Sequence, residues 1–470
     1  MDEVKEYLTN LIIDKSRLIT KQADAVSPRF YKRPTVPLKT IALHHESTAS
    51  DAMDFLSKVL TYSFGLLRYT PNDPWKIHRG FPSARCFYPT ECYILSLSGD
   101  DPEVSAGIYH YDPREHQLEM LGSPCSSSPN SPNHGPRLSF VLTSEFWRLG
   151  ATYGDFAYNL CLLEAGHAVE QLLTLCKSLG VTSKVYYRFP HRKVAGALHI
   201  PSPEESPLVV IEVGDVTSDM EVVLTGFNDV HLPETLWTQS RGIRNGGCPL
   251  LQQAESLVVD VPFAGRVELP DFRWQWGDLT QITYNRNSGR GVYGIVGNSK
   301  PAEFRDIVGI GDYAVLANVF QEQLGLGLYC LAIGDNAVSL GQIGAPGKGW
   351  VGRGECTPWE VQVAFRYPFV NVTTMSAVYV VSACFSDVVD KLDVCAYRQL
   401  TMEAGRVAHR LCLAASERSF SARPVRSFDD KMIASLLQLD EGEEPLYYVI
   451  VGTSNFSDVQ GDLRASWGGE

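Results

Sequence analysis

The stretch at residues 157–176, "AYNLCLLEAGHAVEQLLTLC", decides the fold because it occurs twice. A related stretch, "AYRQLTMEAGRVAHRLCLAA", begins 239 residues later, at Ala396. Ala-Tyr opens both copies, and Glu-Ala-Gly recurs at 164–166 and 403–405. Self-similarity at a fixed spacing is the signature of a duplicated structural unit. The chain is therefore interpreted as two related halves.

The repeat continues beyond these helices. Phe189 and Leu198 recur as Phe428 and Leu437, and "SPLVVIEVG" recurs as "EPLYYVIVG" with one residue of slippage. Each copy predicts a long helix, a loop ending in Phe, a short helix ending in Leu, and a buried strand. Strand-like runs also precede each long helix. Each half is thus predicted to be an α+β unit.

Apolar residues surround much of each long helix, which predicts burial on more than one side. Ala165 and Gly166, like Ala404 and Gly405, are small enough to let a second helix approach closely. One interpretation places each helix in the core of its own half. The interpretation favoured here packs the two helices together as the core of a pseudo-dimer.

The positions of the two repeats divide the chain into four segments. We predict an N-terminal helical segment at 1–35, a first domain at 36–214, a connection at 215–279 and a second domain at 280–470. The connection shows little clear periodicity and is expected to add further strands.

The overall composition and charge limit the classes of function that are expected for this chain. The chain has 470 residues, 44% of them hydrophobic, and a net charge of −13. Negative charge repels phosphate, so nonspecific binding to nucleic acid or an anionic membrane is not expected. The N-terminus lacks a signal-peptide core and no apolar run is long enough to span a bilayer, which favours a cytoplasmic protein. Eleven scattered cysteines show no zinc or disulfide spacing, so no metal is expected.

One stretch concentrates positive charge. In "YNRNSGRGVY", residues 284–293, Arg286 and Arg290 flank Ser288. Arginine forks and a hydroxyl are suited to holding a phosphate. Taken alone, the two arginines favour the interpretation as a solvated surface pair.

Several motifs together resemble a known family. They are "GFPSARCFYPTECYILSL", "GIYHYDPREHQLEML", "TYGDFAYNLCLLEAGHAVEQL" and "ARPVRSFDDKMIASLLQLDEGEEPLYYVIVG". The combination resembles the nitroreductase-like FMN enzymes, and among them the azoline dehydrogenases of the SagB and McbC type. The resemblance covers about 40–214 and 280–455. It implies two tandem nitroreductase-like domains that form an intrachain pseudo-dimer, and FMN as the cofactor.

The resemblance also assigns candidate cofactor residues, because each flavin of the family lies between two subunits. Matches to the phosphate and ribityl contacts and to a flavin-facing loop lie in the second half: Arg286, Ser288, Arg290, Arg426 and Ser427. Matches to the Pro-Ser loop lie in the first half: Pro82, Ser83, Ala84 and Arg85. In the first-half stretch "LHHESTASDAM", His45 and Ala49 replace the two arginines, and the second half has no Pro-Ser loop. One composite FMN site per chain is therefore expected.

The family's catalytic Lys-Tyr pair is divided between the halves. Tyr153 is present in the first half but Thr152 replaces the lysine, whereas Lys391 in the second half is followed by Leu392. Tyr153 is the first candidate for catalysis and Lys391 the second. A tyrosinate needs a cation nearby to be useful at neutral pH. Arg85 is the candidate partner, with a salt bridge within its own loop as the alternative.

The function implied by the resemblance is oxidation of a thiazoline or oxazoline to its azole, with O2 as acceptor. The substrate is a peptide intermediate, either ribosomal or tethered to a carrier domain of a nonribosomal peptide synthetase. The second is favoured because no leader-binding winged helix is evident, and the pseudo-dimer is expected to be a monomer. The alternatives are an NAD(P)H-dependent nitro- or quinone reductase and an inactive docking scaffold.

Overall fold

The structure is a computed structural model that describes most of the chain. The described residues are 2–19, 37–44, 49–71, 75–96, 101–122, 138–200, 205–214, 248–258, 264–268, 278–289, 302–316, 325–344, 349–367, 370–384, 393–453 and 459–464. All structural statements below concern these residues.

Within them the helices and strands alternate along both halves. The α-helices are α1 (Asp2–Ile13), α2 (Asp51–Ser63), α3 (Trp147–Tyr153), α4 (Ala157–Ser178), α5 (His191–Ala197), α6 (Pro249–Ser256), α7 (Leu279–Asn285), α8 (Phe304–Leu316), α9 (Pro358–Ala364), α10 (Val394–Glu417) and α11 (Asp430–Leu437). The strands of the first half and the connection are β1 (Lys39–Ala42), β2 (Arg68–Tyr69), β3 (Ile77–His78), β4 (Thr90–Ser96), β5 (Gly107–Asp112), β6 (Gln117–Gly122), β7 (Leu138–Glu145), β8 (Ser183–Arg188), β9 (Glu205–Val213) and β10 (Ala264–Glu268). Those of the second half are β11 (Leu326–Ile333), β12 (Val338–Ile343), β13 (Trp350–Cys356), β14 (Ala377–Cys384), β15 (Ser421–Val425), β16 (Glu443–Gly452) and β17 (Gly461–Asp462).

Two large antiparallel sheets repeat one topology. The first has the order β1-β6-β5-β4-β7-β9-β8-β10, and the second has the order β13-β12-β11-β14-β16-β15. The six strands from β6 to β8 correspond one by one to the six strands of the second sheet. The predicted duplication is therefore confirmed at the level of strand order.

The long helices α4 and α10 lie between these sheets and pack against each other. Their apolar side chains join the inner faces of both sheets in one continuous core. Local capping fixes where several helices start. Asp393 accepts a hydrogen bond from the Ala396 amide at 2.6 Å to cap α10, and Ser50 accepts one from Met53 at 3.2 Å to cap α2.

The structure adds detail that the sequence patterns did not predict. The loops expected before Phe189 and Phe428 are strands, β8 and β15, each hydrogen-bonded at one edge of the repeated sheet order. The connection supplies α6, and also β10, which pairs with β8 and so extends the first sheet.

A small third sheet joins the C-terminal end of the described chain to the first half. Its order is β17-β2-β3, with Asp462 paired to Arg68 and Arg68 paired to His78. At the other end, α1 packs beside α6 and β16. The third sheet and α1 thus connect the two halves in addition to the helix seam and the linking chain.

Candidate functional site

The seam between α4 and α10 is closest where each helix carries a glycine. A Cβ atom added at Gly166 would lie 2.0 Å from the carbonyl oxygen of Met402. One added at Gly405 would lie 2.2 Å from the carbonyl oxygen of Leu163. No side chain fits at these distances, so glycine permits the approach.

Matching residues of the two repeats also meet across this seam. Tyr158 and Tyr397 stack with ring centroids 6.0 Å apart. Asn159 donates a hydrogen bond to the Tyr397 hydroxyl at 2.8 Å, and Arg398 donates one to the Tyr158 hydroxyl at 3.0 Å. The halves therefore face each other across an approximate twofold axis, and the predicted pseudo-dimer is confirmed.

Arg286 follows α7 in the second half, but its side chain contacts the first half. Its Nε donates a hydrogen bond to the Gly80 carbonyl at 2.9 Å, and its Nη2 donates one to the Arg79 carbonyl at 3.4 Å. Arg68 in turn donates to the carbonyl of Arg286 at 2.7 Å. The predicted phosphate residue is thus joined to the backbone immediately before Pro82, so the structure brings these two sequence-predicted elements together.

Four arginine side chains lie at this contact. We call them the arginine cluster, and they are Arg68, Arg79, Arg286 and Arg464. Arg464 follows β17 and lies over the ring of Tyr284, 3.8 Å from its centroid, while Arg68 lies 5.9 Å from the same centroid. Both halves contribute to this concentration of positive charge in a chain whose net charge is −13.

The arginine cluster fits a phosphate monoester. Arg79 Nε and Arg286 Nη1 are buried and have no hydrogen-bond partner within the described parts of the chain. An unpaired buried donor is unfavourable, and a phosphate oxygen would satisfy it with a charge-assisted bond. Half-buried Ser288 adds a hydroxyl two residues after Arg286. The phosphate of FMN therefore suits the donors present here.

The Pro-Ser loop that follows Arg79 has an unusual backbone. Arg85 and Cys86 have φ of 53°, and Tyr88 has φ of 47°. Each L-residue in this left-handed region costs about 1–2 kcal/mol. The Ser83 hydroxyl accepts a hydrogen bond from the Tyr88 amide at 2.9 Å, which helps to hold the loop. Backbone strain of this kind is typical of functional sites.

Glu164, from the first Glu-Ala-Gly, lies beneath the Pro-Ser loop. It is 3% exposed, and it accepts a hydrogen bond from the Thr90 amide at 3.3 Å. Burial raises the pKa of Glu164 to about 7, although the Ser83 hydroxyl, the Thr90 amide and the Arg79 guanidinium lower it. This carboxyl group therefore exchanges its proton close to neutral pH.

Arg85 also contacts Tyr153, the residue that ends α3. The Arg85 Cζ atom lies 5.7 Å from the centroid of the Tyr153 ring. Burial raises the pKa of Tyr153, Arg85 lowers it, and Tyr367 from the second half raises it further. Because the net shift is upward, the phenol keeps its proton at neutral pH and is better suited to donating a hydrogen bond than to acting as a base.

Arg426 and Ser427 follow β15, as the resemblance requires, but the Arg426 side chain is engaged within the protein. Its Nη1 pairs with Asp430 at 3.2 Å and its Nη2 donates to the Leu11 carbonyl at 3.4 Å. The Ser427 carbonyl accepts a hydrogen bond from the Arg366 amide at 2.9 Å. A flavin contact by this backbone stays a prediction.

Lys15, just after α1, reaches this same loop. Its Nζ donates to the Phe428 carbonyl at 2.9 Å and forms an ion pair with Asp430 at 2.5 Å. Burial and the nearby Arg426 lower the pKa of Lys15 to about 7, although Asp430 raises it. The N-terminal segment is thereby attached to the second half next to Ser427.

A buried ion-pair network occupies the related position on the other side of the seam. We call it the sealed network, and it consists of Glu170, Tyr187, Glu403, Arg406 and Arg410. Glu403, the counterpart of Glu164, accepts a hydrogen bond from Tyr187 at 2.5 Å and pairs with Arg406 at 2.7 Å. Glu170 pairs with Arg406 at 2.9 Å and with Arg410 at 2.7 Å. The two sides of the seam therefore differ: the arginines of the sealed network pair with carboxylates, whereas Arg286 on the other side donates to backbone carbonyls.

Some predicted residues cannot be located. Arg290 and Lys391 lie outside the described residues, as does His45 of the first-half stretch that was compared with the arginines. Their assignments stay predictions.

Sequence analysis also missed residues that the structure brings to the site. Arg68, Arg464 and Lys15 carry no local signal, because their positions depend on pairing between distant segments. Arg79 has a weak one, since it precedes Pro82 by three residues and could have been counted with the Pro-Ser loop.

The repeated sheets and the helix pair between them define a protein with a tandem nitroreductase fold. A solved structure from Anabaena variabilis, of a protein assigned to the nitroreductases, has this architecture throughout. It matches with a TM-score of 0.73 and 18% sequence identity, covering 96% of this chain and 99% of the other. At this identity the likeness establishes the fold.

The sequence is similar to that of the microcin B17-processing protein McbC of Escherichia coli, with 25% identity over 162 residues. The match spans 32% of this chain and 59% of McbC. A protein of Methanocaldococcus jannaschii assigned to the nitroreductases is 26% identical over 147 residues, which are 29% of this chain and 71% of that protein. No protein-family model matches the chain. The resemblance to McbC-type nitroreductase-like proteins is thus confirmed.

Among the described helices, none has the length and apolar character needed to cross a membrane.

Proposed function

We propose that this protein is an FMN-dependent oxidase that converts a thiazoline or oxazoline in a peptide to the corresponding azole. The observation that carries the proposal is the contact of Arg286 with the Gly80 carbonyl, which joins the anion-binding stretch of one half to the Pro-Ser loop of the other. The sealed network at the related position supports one such site in each chain.

The arginine cluster would hold the phosphate, with Ser288 and Arg290 as further donors. Pro82, Ser83 and Ala84 would line the flavin from the first half, and the backbone of Arg426 and Ser427 from the second. Bound FMN would supply the acceptor for a hydride from the ring carbon β to the carbonyl, and O2, the proposed terminal acceptor, would leave as hydrogen peroxide.

Tyr153 and Arg85 would act on the substrate side. The protonated Tyr153 would donate a hydrogen bond to the azoline nitrogen, which makes the Cα proton more acidic. Arg85 would keep the phenol oriented and limit the rise of its pKa. The Cα proton would pass to a base, and Lys391 is the remaining candidate for that role.

The similarity to McbC, a microcin B17-processing protein, supports a peptide substrate. We propose a peptide intermediate tethered to a carrier domain of a nonribosomal peptide synthetase, with a ribosomal precursor peptide as the alternative source. The chain would work in the cytoplasm as a monomeric pseudo-dimer.

The test is to mix purified, FMN-loaded protein with a thiazoline-bearing thioester in air. The expected product is lighter by two hydrogen atoms, and hydrogen peroxide forms in equal amount. A matched reaction with a thiazoline-bearing peptide distinguishes the two substrate sources.

Two other outcomes would replace the proposal. Rapid bleaching of the flavin by NADPH, with reduction of a nitroarene or quinone and no azoline oxidation, would identify a reductase. A colourless protein that forms no yellow complex with added FMN would identify a docking scaffold.

A further inference from the structure

Glu164 and Glu403 occupy corresponding positions in the two repeats, yet their surroundings differ. Glu403 is 1% exposed and is neutralised by Arg406 at 2.7 Å. Glu164 is 3% exposed and forms no ion pair within the described residues. One of its oxygens, Oε2, has no hydrogen-bond partner there. A buried carboxyl group without a counterion needs an explanation, because burial of an isolated charge is unfavourable.

The contacts of Glu164 all lead to the Pro-Ser loop and its continuation into β4. The Thr90 amide, which donates to Glu164 at 3.3 Å, begins β4 just after the loop. The Ser83 hydroxyl is near enough to affect Glu164 and also accepts the Tyr88 amide at 2.9 Å. Glu164 therefore supports the segment in which Arg85 and two further residues have positive φ.

The charge of Glu164 is also coupled to the arginine cluster. Arg79, which directly follows β3, is the positively charged group whose charge lowers the pKa of Glu164. Cys161 on α4 and Tyr447 on β16 are the other titratable groups that sense it in the described structure. When Glu164 ionises it attracts Arg79, and less of that positive charge is then available to an anion.

We propose that Glu164 is a positioning residue that holds the Pro-Ser loop in its strained form when protonated, and that its ionisation weakens the grip of Arg79 on the FMN phosphate. This inference rests on the proposed function. The raised pKa, about 7, places the change within the physiological range, and it favours the loop-holding form on the acid side.

The test compares Glu164→Gln with Glu403→Gln, the same chemical change at the corresponding position. Gln keeps an acceptor for the Thr90 amide and imitates the neutral acid. FMN affinity is measured by fluorescence between pH 6 and 8. The phosphate of FMN also titrates, near pH 6, and contributes equally to every variant.

We expect the wild type and Glu403→Gln to lose several-fold in FMN affinity between pH 6 and 8 beyond the phosphate contribution. Glu164→Gln should lose this additional dependence and keep tight binding at pH 8. The proposal is wrong if Glu164→Gln retains the wild-type pH dependence, or if Glu403→Gln abolishes it.

Hydrogen exchange provides a second measurement that needs no cofactor. After correction for the intrinsic rate, amides of residues 83–90 should exchange several-fold faster at pH 8 than at pH 6 in the wild type. The exchange should be unchanged in Glu164→Gln. Equal protection of these amides at both pH values in the wild type would overturn the proposal even if Glu164→Gln fails to fold. A protein that binds no FMN would contradict the proposed function instead, and this exchange measurement would still decide the role of Glu164.

Discussion

Gly166 and Gly405 face each other where α4 crosses α10. A Cβ atom added to Gly166 would lie 2.9 Å from the Cα atom of Gly405, and one added to Gly405 would lie 3.1 Å from the Cα atom of Gly166. The backbones of the two helices are therefore in direct contact. The two halves that contribute to the composite site meet at this crossing.

Gly166→Ala should destabilise the protein strongly. The new methyl group meets the Met402 carbonyl, which belongs to a helix backbone that cannot move locally, so we expect a loss of about 3 kcal/mol. Thermal unfolding provides the measurement. Gly196→Ala in α5 is the matched control, because nothing lies within 4 Å of its Cβ position. That change should be neutral or stabilising by about 0.5–1 kcal/mol. Equal melting temperatures for the two variants would contradict the described crossing.

Arg286→Ala should weaken FMN binding by about 10- to 100-fold, because charge-assisted hydrogen bonds contribute about 1.5–3 kcal/mol. Equilibrium dialysis or flavin fluorescence measures this loss. Arg305→Ala is a suitable control, since its guanidinium is exposed on α8 and pairs only with Glu303 among the described residues. If Arg286→Ala binds FMN as the wild type does, the composite site is misassigned.

Arg85→Gly should separate two effects. Glycine relieves the positive φ of 53°, so the loop should gain about 1 kcal/mol, and FMN should remain bound. The pKa of Tyr153 should rise further because the lowering by Arg85 is lost, and azoline turnover should fall at least tenfold. Arg85→Lys should restore part of the turnover. Steady-state rates of both variants, with Tyr153→Phe as reference, are the measurement, and undiminished turnover in Arg85→Gly would leave Arg85 as a loop residue only.

Glu170→Gln should destabilise the protein by about 3–5 kcal/mol at pH 7, since two buried guanidinium groups lose their carboxylate. Arg410 and Arg406 lower the pKa of Glu170 despite its burial. Its folded-state pKa thus lies below the unfolded value near 4.5, so this stabilisation is complete above about pH 4.5 and is lost as the pH falls through the folded pKa. Melting temperatures between pH 7 and 3 should converge for wild type and variant on the acid side. A constant difference across that range would show that Glu170 does not act through its charge.

The duplication and the helix seam could be predicted because each copy of the repeat is a continuous stretch of sequence. Glu-Ala-Gly in both copies marks the crossing, and the pattern around Pro82 and Arg286 marks the two parts of the site. By contrast, Arg464 lies at the site because β17 pairs with β2. A two-residue strand is too short to show a periodic pattern in the sequence. The positive φ of Arg85 could likewise not be predicted from the sequence, since it depends on the course of the loop and not on the residue type.

Because β17 pairs with β2, the third sheet can be completed only after both segments have been synthesised. Arg68 emerges from the ribosome about 400 residues before Arg464, which at roughly 5–20 residues per second is a delay of tens of seconds. For much of that interval the apolar face of α4 lacks α10, and until Arg464 is synthesised the arginine cluster is incomplete. Binding of an anionic cofactor by the whole cluster must therefore follow synthesis of Arg464, and until α10 is made the first half exposes the apolar helix surface that α10 later covers.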